Sequence, residues 1–128
     1  MNSVVHFEIP VDDTDEAKTF YEQAFGWEIR QDKMPDGSTY TSAVTTETEN
    51  SMPKNPGAIN GAIIERDDKL KVPLVTVGVD SIDDCIKKVE EAGGKVVLPK
   101  AVVPNIGEYA YVADPAGNIV GLWHDAQK

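Results

Sequence analysis

The residues able to do chemistry are few, and two of them sit near the start of the chain. His6 and Glu8 are one residue apart in the run Val5-His6-Phe7-Glu8-Ile9. Side chains alternate along a strand, so residues i and i+2 share a face. An imidazole and a carboxylate placed this way suit proton transfer, with Glu8 either orienting the ring or acting as the base. The same imidazole could instead bind a metal, anchor a polar ligand, or be hydrogen-bonded with no role. His124, beside Asp125, faces away from Trp123 by alternation and reads as solvated. Cys85 shares a helical stripe with Ile82, Ile86 and Val89, which makes it a small buried hydrophobe. A lone cysteine excludes an internal disulfide and a cysteine cluster for zinc. Tyr40, Tyr109 and Tyr111 lie in strand-like runs where alternate residues could donate phenolic hydrogen bonds. Trp27 and Trp123 could stack on a ligand, although core packing is the commoner use of tryptophan.

Bulk composition narrows the classes. Twelve basic against 22 acidic residues give a net charge of −10. A protein that tracks a nucleic-acid backbone needs the opposite sign, so no nucleic-acid partner is expected. The acid surface supports solubility and could attract a cationic ligand. No apolar run approaches the length of about 18 residues that a membrane span needs. The start of the chain has no basic segment followed by a long apolar one, so cytoplasmic residence is the expectation.

Residues 3–10 read as a strand. Asp13 sits as an N-cap with Glu16 three residues on. Ala17, Phe20, Tyr21, Ala24 and Phe25 then follow a helical period and predict one buried face, and Gly26 ends the helix. Residues 27–32, 38–45 and 58–64 read as strands, with a polar loop over 46–57. The sequence then repeats itself. Thr14 matches Ser81 and Gly26 matches Gly93 at the same offset. Strand 73–79, a helix from Ser81 to Ala92, and strands 95–98, 107–113 and 118–123 follow. Val103-Pro104-Asn105 breaks the chain between the first two of these strands. The expected fold class is therefore α+β: two pseudo-repeated βαβββ modules, residues 1–65 and 73–128, joined by a linker over 66–72. Their curved sheets would enclose a cleft, with the helices outside. The helices cover Phe7 and Ile9, so His6 and Glu8 would face that cleft.

Val5-His6-Phe7-Glu8-Ile9-Pro10-Val11-Asp12-Asp13, with Phe20-Tyr21 and Phe25-Gly26-Trp27, resembles the opening of vicinal oxygen chelate proteins. The ending, from Gly107-Glu108-Tyr109-Ala110-Tyr111 through Asp114-Pro115-Ala116-Gly117-Asn118 to Gly121-Leu122-Trp123, is similar to the closing motif of the glyoxalase-like branch. That superfamily includes glyoxalase I, extradiol dioxygenases, methylmalonyl-CoA epimerase and bleomycin-resistance proteins. The resemblance implies a divalent metal held by the first and last strands of each module, acting as a Lewis acid on substrate oxygens. His6 matches the first-strand ligand. The last-strand position, normally acidic, is Gly121, and aligning the modules puts Gly61 at its counterpart. Strand 73–79 offers no histidine or carboxylate. A lone imidazole does not hold such a metal firmly, so the resemblance points away from a conventional metal-dependent glyoxalase I and from any confident cofactor. Gly61 and Gly121 either ease strand curvature or floor a pocket with Ile63, Ile119 and Trp123 on the same faces. The expected site combines His6 and Glu8 with Gly61, Ile63, Tyr109, Tyr111, Gly121 and Trp123. Two functions are expected to compete. One is a binding protein for a small molecule. The other is a metal-dependent lyase, isomerase or dioxygenase-type enzyme using His6. The resemblance also implies a homodimer.

Overall fold

Strand β1 (Val4–Val11) runs into helix α1 (Thr14–Phe25), and Asp13 caps the junction by accepting a hydrogen bond from the Glu16 N–H at 3.1 Å. The structure, a computed structural model, describes residues 1–50 and 52–126. Gly26 closes α1 in the left-handed region (φ 71°), its N–H donating to the Glu22 carbonyl. Glycine adopts that backbone without a Cβ penalty. Strands β2 (Glu28–Lys33), β3 (Thr39–Val44), β4 (Thr48–Glu49), β5 (Met52–Pro53) and β6 (Gly61–Glu65) follow. The second series is β7 (Leu74–Gly78), α2 (Ile82–Glu91), β8 (Lys95–Val103), β9 (Gly107–Ala113) and β10 (Ile119–Asp125). Ser81 caps α2 by accepting from the Asp84 N–H.

The chain divides into two compact units, one of residues 6–73 and one joining residues 1–5 to the chain from Leu74 onward. In the first, β1 pairs parallel with β6, β6 antiparallel with β3, and β3 antiparallel with β2. In the second, β7 pairs parallel with β10, β10 antiparallel with β9, and β9 antiparallel with β8. The two paths are identical, as the repeat predicts. Residues 66–72 pack with the first unit. The Arg66 guanidinium donates to the Asp12 carboxylate at 2.8 Å and to the Pro10 carbonyl, and Leu70 is buried. The Gly78 N–H donates to the Ser3 carbonyl, which ties the first residues to β7.

Each unit has one core beneath its helix. Ala17, Ile29, Ala43 and Ile63 form the first, with Phe7, Ile9, Tyr21 and Trp27 packed on it. Val79, Ile82, Ala110, Val112 and Leu122 form the second, joined by Cys85, Ile86 and Val89. The stripe on α1 is narrower than its period predicts. Phe20 and Phe25 are 56% and 60% exposed, because Trp27 stacks on Tyr21 (4.9 Å, 8°) and occupies the inner side. Two other expectations change. The 46–57 segment contains the small β4–β5 ladder, and β8 continues past Pro99 to Val103. Register shifts on both sides of Leu98 and a place at the edge of the pairing order let β8 accept a proline.

Candidate functional site

Ladder partners project to the same side of a sheet, so the register sorts the candidates by face. In the first unit Ile9 and Ile63 are partners and lie in the core under α1. His6 and Glu8 therefore point away from α1. Glu8, Ala62, Ser42 and Arg30 form one row across the four strands, and Tyr40 shares the Ser42 face two residues away. In the second unit Leu122 and Val77 lie under α2, so Gly121, Thr76, Tyr111, Trp123 and Tyr109 occupy the opposite face.

His6, Tyr40 and Ser42 open into a cavity of about 640 Å³ in the first unit. Its rim includes Glu28 and Arg30 from β2, and Glu47, Glu49 and Lys54 from the β4–β5 region. Burial pushes the His6 imidazole below its ordinary value of 6.5, which keeps the ring neutral at neutral pH. Its Nε2 lies 4.0 Å from Glu8 Oε2, beyond direct hydrogen-bond reach. Glu8 is buried, and its charge acts on Tyr40: burial first, then Glu8, raises the phenol above 10.0. Tyr40 thus remains a proton donor throughout the physiological range. Both lining cations are already paired. Arg30 makes two bonds to Glu28, at 2.9 and 3.0 Å, and Lys54 Nζ lies 3.7 Å from Glu47. The sequence reading left out Arg30, Glu28, Lys54 and Asn60. Only the i, i+2 spacing of Glu28 and Arg30 in a strand signalled a shared face.

The expected residues separate. His6 and Glu8 come together with Tyr40. Tyr109 and Tyr111 form an edge-to-face pair (6.0 Å, 74°) beside Gly121 and Trp123. The Trp123 indole lies over Gly107, where an added Cβ would be 2.6 Å from the ring. Two residues move off the expected face. Ile63 is core, and Gly61 faces α1, where an added Cβ would lie 2.5 Å from the Phe7 carbonyl oxygen. Gly61 touches the cavity with main chain only. The cause is a one-residue slip in the module alignment, and a one-residue slip reverses the face. Ile9 and Val77 each precede their N-cap, Asp13 and Ser81, by the same spacing, and their ladder partners are Ile63 and Leu122. The counterpart of Gly121 is therefore Ala62, that of His6 is Leu74, and that of Tyr109 is Tyr40. His124 is also corrected: its Nδ1 lies 3.1 Å from the Val79 carbonyl oxygen and the residue is partly buried.

The metal implied by the resemblance does not fit the donors present. At the four corresponding positions stand His6, Ala62, Leu74 and Gly121, and only His6 carries a donor. Among the described residues no three histidine, cysteine or carboxylate side chains converge on one point.

Topology and site together define a class. The family model of the Glyoxalase/Bleomycin resistance protein/Dioxygenase superfamily matches residues 3–122, and the chain belongs to that superfamily. Among individual proteins it is similar to "Putative glyoxylase CFP32" of Mycobacterium tuberculosis and of Mycobacterium bovis, each 31% identical over 117 residues. The match takes in 87% of this chain but spans only 41% of the relative's length. Solved structures share the fold. A methylmalonyl-CoA epimerase in complex with methylmalonyl-CoA and NH4+ superposes with a TM-score of 0.68 at 17% identity, over 98% of this chain and 96% of that one. The hypothetical protein BH1468 from Bacillus halodurans gives 0.67 at 14% identity, over 99% and 96%. No helix among the described residues is long and apolar enough to cross a membrane.

Proposed function

We propose that this chain binds a small, uncharged oxygenated molecule on the His6 face of its first unit, without a divalent metal held by its own side chains. The observation that carries the reading is the cavity of about 640 Å³ onto which His6, Tyr40 and Ser42 open. That volume lies within the usual span for small-molecule sites, about 300–1,000 Å³. A neutral imidazole, a protonated phenol and a hydroxyl supply hydrogen bonds without net charge. Arg30 and Lys54 are occupied by Glu28 and Glu47, and Glu49 adds a further carboxylate to the rim. A polyanion such as a coenzyme A ester would meet no unpaired cation there.

The test is thermal stabilisation by a panel of α-hydroxy ketones, catechols and quinones, with coenzyme A as the charged comparison. A bound ligand raises Tm in proportion to RT ln(1 + [L]/Kd). Stabilisation by an uncharged compound, lost in Tyr40→Phe and His6→Gln, supports the reading. Stabilisation by coenzyme A alone overturns the charge argument. Elemental analysis of tag-free protein accompanies it, and stoichiometric metal lost in His6→Ala would overturn the metal-free part.

A second reading is a proton-transfer enzyme of the lyase or isomerase type. It is favoured by the neutral, half-buried His6, which is a competent base, with the Glu8 carboxylate nearby. Turnover of a panel compound that collapses in His6→Gln would select it. A homodimer is proposed on family resemblance, and light scattering decides it.

A further inference from the structure

The two units make the same connection by very different means. In the second, β9 passes to β10 through the turn Asp114-Pro115-Ala116-Gly117-Asn118, held by hydrogen bonds from the Ala116 and Asn118 N–H groups to the Asp114 carboxylate. In the first, β3 passes to β6 through residues 45–60. The repeat shows that the short turn suffices to join these strands. Extra chain in such a connection usually serves a function.

The extra chain folds on itself. Among the described residues β4 and β5 pair only with each other, in a ladder of their own. The Lys54 N–H donates to the Glu47 carbonyl at 2.8 Å, and residues 47–50 are exposed. An exposed ladder of two residue pairs belongs to the low-stability end of a structure. Its roots are tied by two side chains, and Asn60 makes two of the three bonds. Asn60 Oδ1 accepts from the Thr45 N–H at 2.8 Å and from the Thr46 N–H at 3.0 Å, while the Thr45 hydroxyl donates to the Ile59 carbonyl. Glu47, Thr48, Glu49 and Lys54 from this hairpin border the cavity.

We infer that the β4–β5 hairpin is a lid on the His6-face cavity and that Asn60 is the positioning residue that holds it closed. The inference rests on the proposal that this cavity is the ligand site. With the Asn60 oxygen in place, both roots stay together and the hairpin keeps its rim residues over the opening. Without it, two N–H groups lose their acceptor and the hairpin swings on its ends.

The test needs no ligand. Amide hydrogen exchange on the whole chain reads the hinge at the donors Thr45, Thr46 and Lys54. The labelling rate of a thiol at the cavity wall, in Ser42→Cys with Cys85→Ala, reads the opening. Asn60→Ala is expected to speed both by about tenfold, the scale of losing a hydrogen-bond acceptor. Asn60→Asp keeps the acceptor and is expected to leave both near wild type. Amides of Ile9 and Ile63 in the main ladder report global unfolding and are expected not to change. Faster exchange without faster labelling overturns the lid, because the hairpin then moves without covering the cavity. No change in either, or a parallel rise in the ladder amides, overturns the role of Asn60. If Asn60→Ala fails to fold, Thr45→Val removes only the hydroxyl bond to Ile59 and must give the same pattern at smaller amplitude. A failed ligand panel with a positive result here would sink the ligand reading alone, and the reverse would sink the lid alone.

Discussion

Gly61→Ala offers the sharpest check on the first unit. An added Cβ would lie 2.5 Å from the Phe7 carbonyl oxygen and 2.6 Å from ring atoms Cδ2 and Cε2 of the same residue. Ordinary contact begins at 3.4 Å, so the carbonyl and the new methyl would have to part by about 0.9 Å. Neither neighbour yields easily. The carbonyl belongs to β1, whose Phe7 is the parallel ladder partner of Gly61. The ring sits 5.6 Å from Trp27, which in turn stacks on Tyr21. Overpacking of a fitted core costs about 1–3 kcal/mol, and a backbone atom among the contacts places this case near the top of that range. For a chain of this size, a kcal/mol moves Tm by about 3–5 °C, so a fall of about 8–12 °C is expected in calorimetry. Phe7→Ala removes the ring but leaves the carbonyl. Gly61→Ala should therefore cost less on that background, with a coupling of about 0.5 kcal/mol or more. An unchanged Tm in the single variant would refute the placement of Gly61 against Phe7. It would return the glycine to the cavity face.

Four further outcomes follow from the same geometry. Gly121→Ala brings a Cβ to 2.7 Å from Thr76 Oγ1 and should cost about 1–3 kcal/mol in urea unfolding, largely recovered in Thr76→Ala/Gly121→Ala. Ile82, 2% exposed beneath the second sheet, should lose about 2–5 kcal/mol on truncation to alanine, read by the same titration. Ser81→Ala should cost about 0.5–2 kcal/mol through the lost cap on the Asp84 N–H. Burial depresses His6 below 6.5, so its contribution is present above that pH and is lost as pH falls from there through the folded value, where the unfolded chain takes up a proton first. The wild type should accordingly lose more stability than His6→Gln between about pH 7.5 and pH 5.5, and equal losses would refute the burial.

The elements were legible because local chemistry and period agreed. Asp13 and Ser81 announced the helix starts, Gly26 a helix end, and the stripe Ile82, Cys85, Ile86 and Val89 the face that packs on the second core, with Ile82 buried and Cys85, Ile86 and Val89 partly so. The faces were harder. Strand side chains repeat every two residues, so the choice between Gly61 and Ala62 as the counterpart of Gly121 decides everything about direction. Matching glycine to glycine was the natural choice in the sequence, whereas ladder partners and capping positions fix the register in space. Phe20 and Phe25 followed the helical period, yet a tryptophan from beyond the helix took the inner place. His6 with Glu8 could be read from alternation alone. Asn60 could not, since its amide acts on Thr45 and Thr46, far back along the chain, and no motif announces such a bond.

The unequal connections also say where this architecture can change length. Among the described residues the β4–β5 hairpin shares no ladder with the other strands, and Asn50 near its tip already adopts a left-handed backbone (φ 54°). Exposed tips of this kind accept insertions that buried strands refuse. Relatives that differ in what they recognise are expected to differ in length here before they differ in the sheets. A peptide or an environment-sensitive dye grafted at this tip would leave both cores untouched and turn the chain into a sensor of its own occupancy.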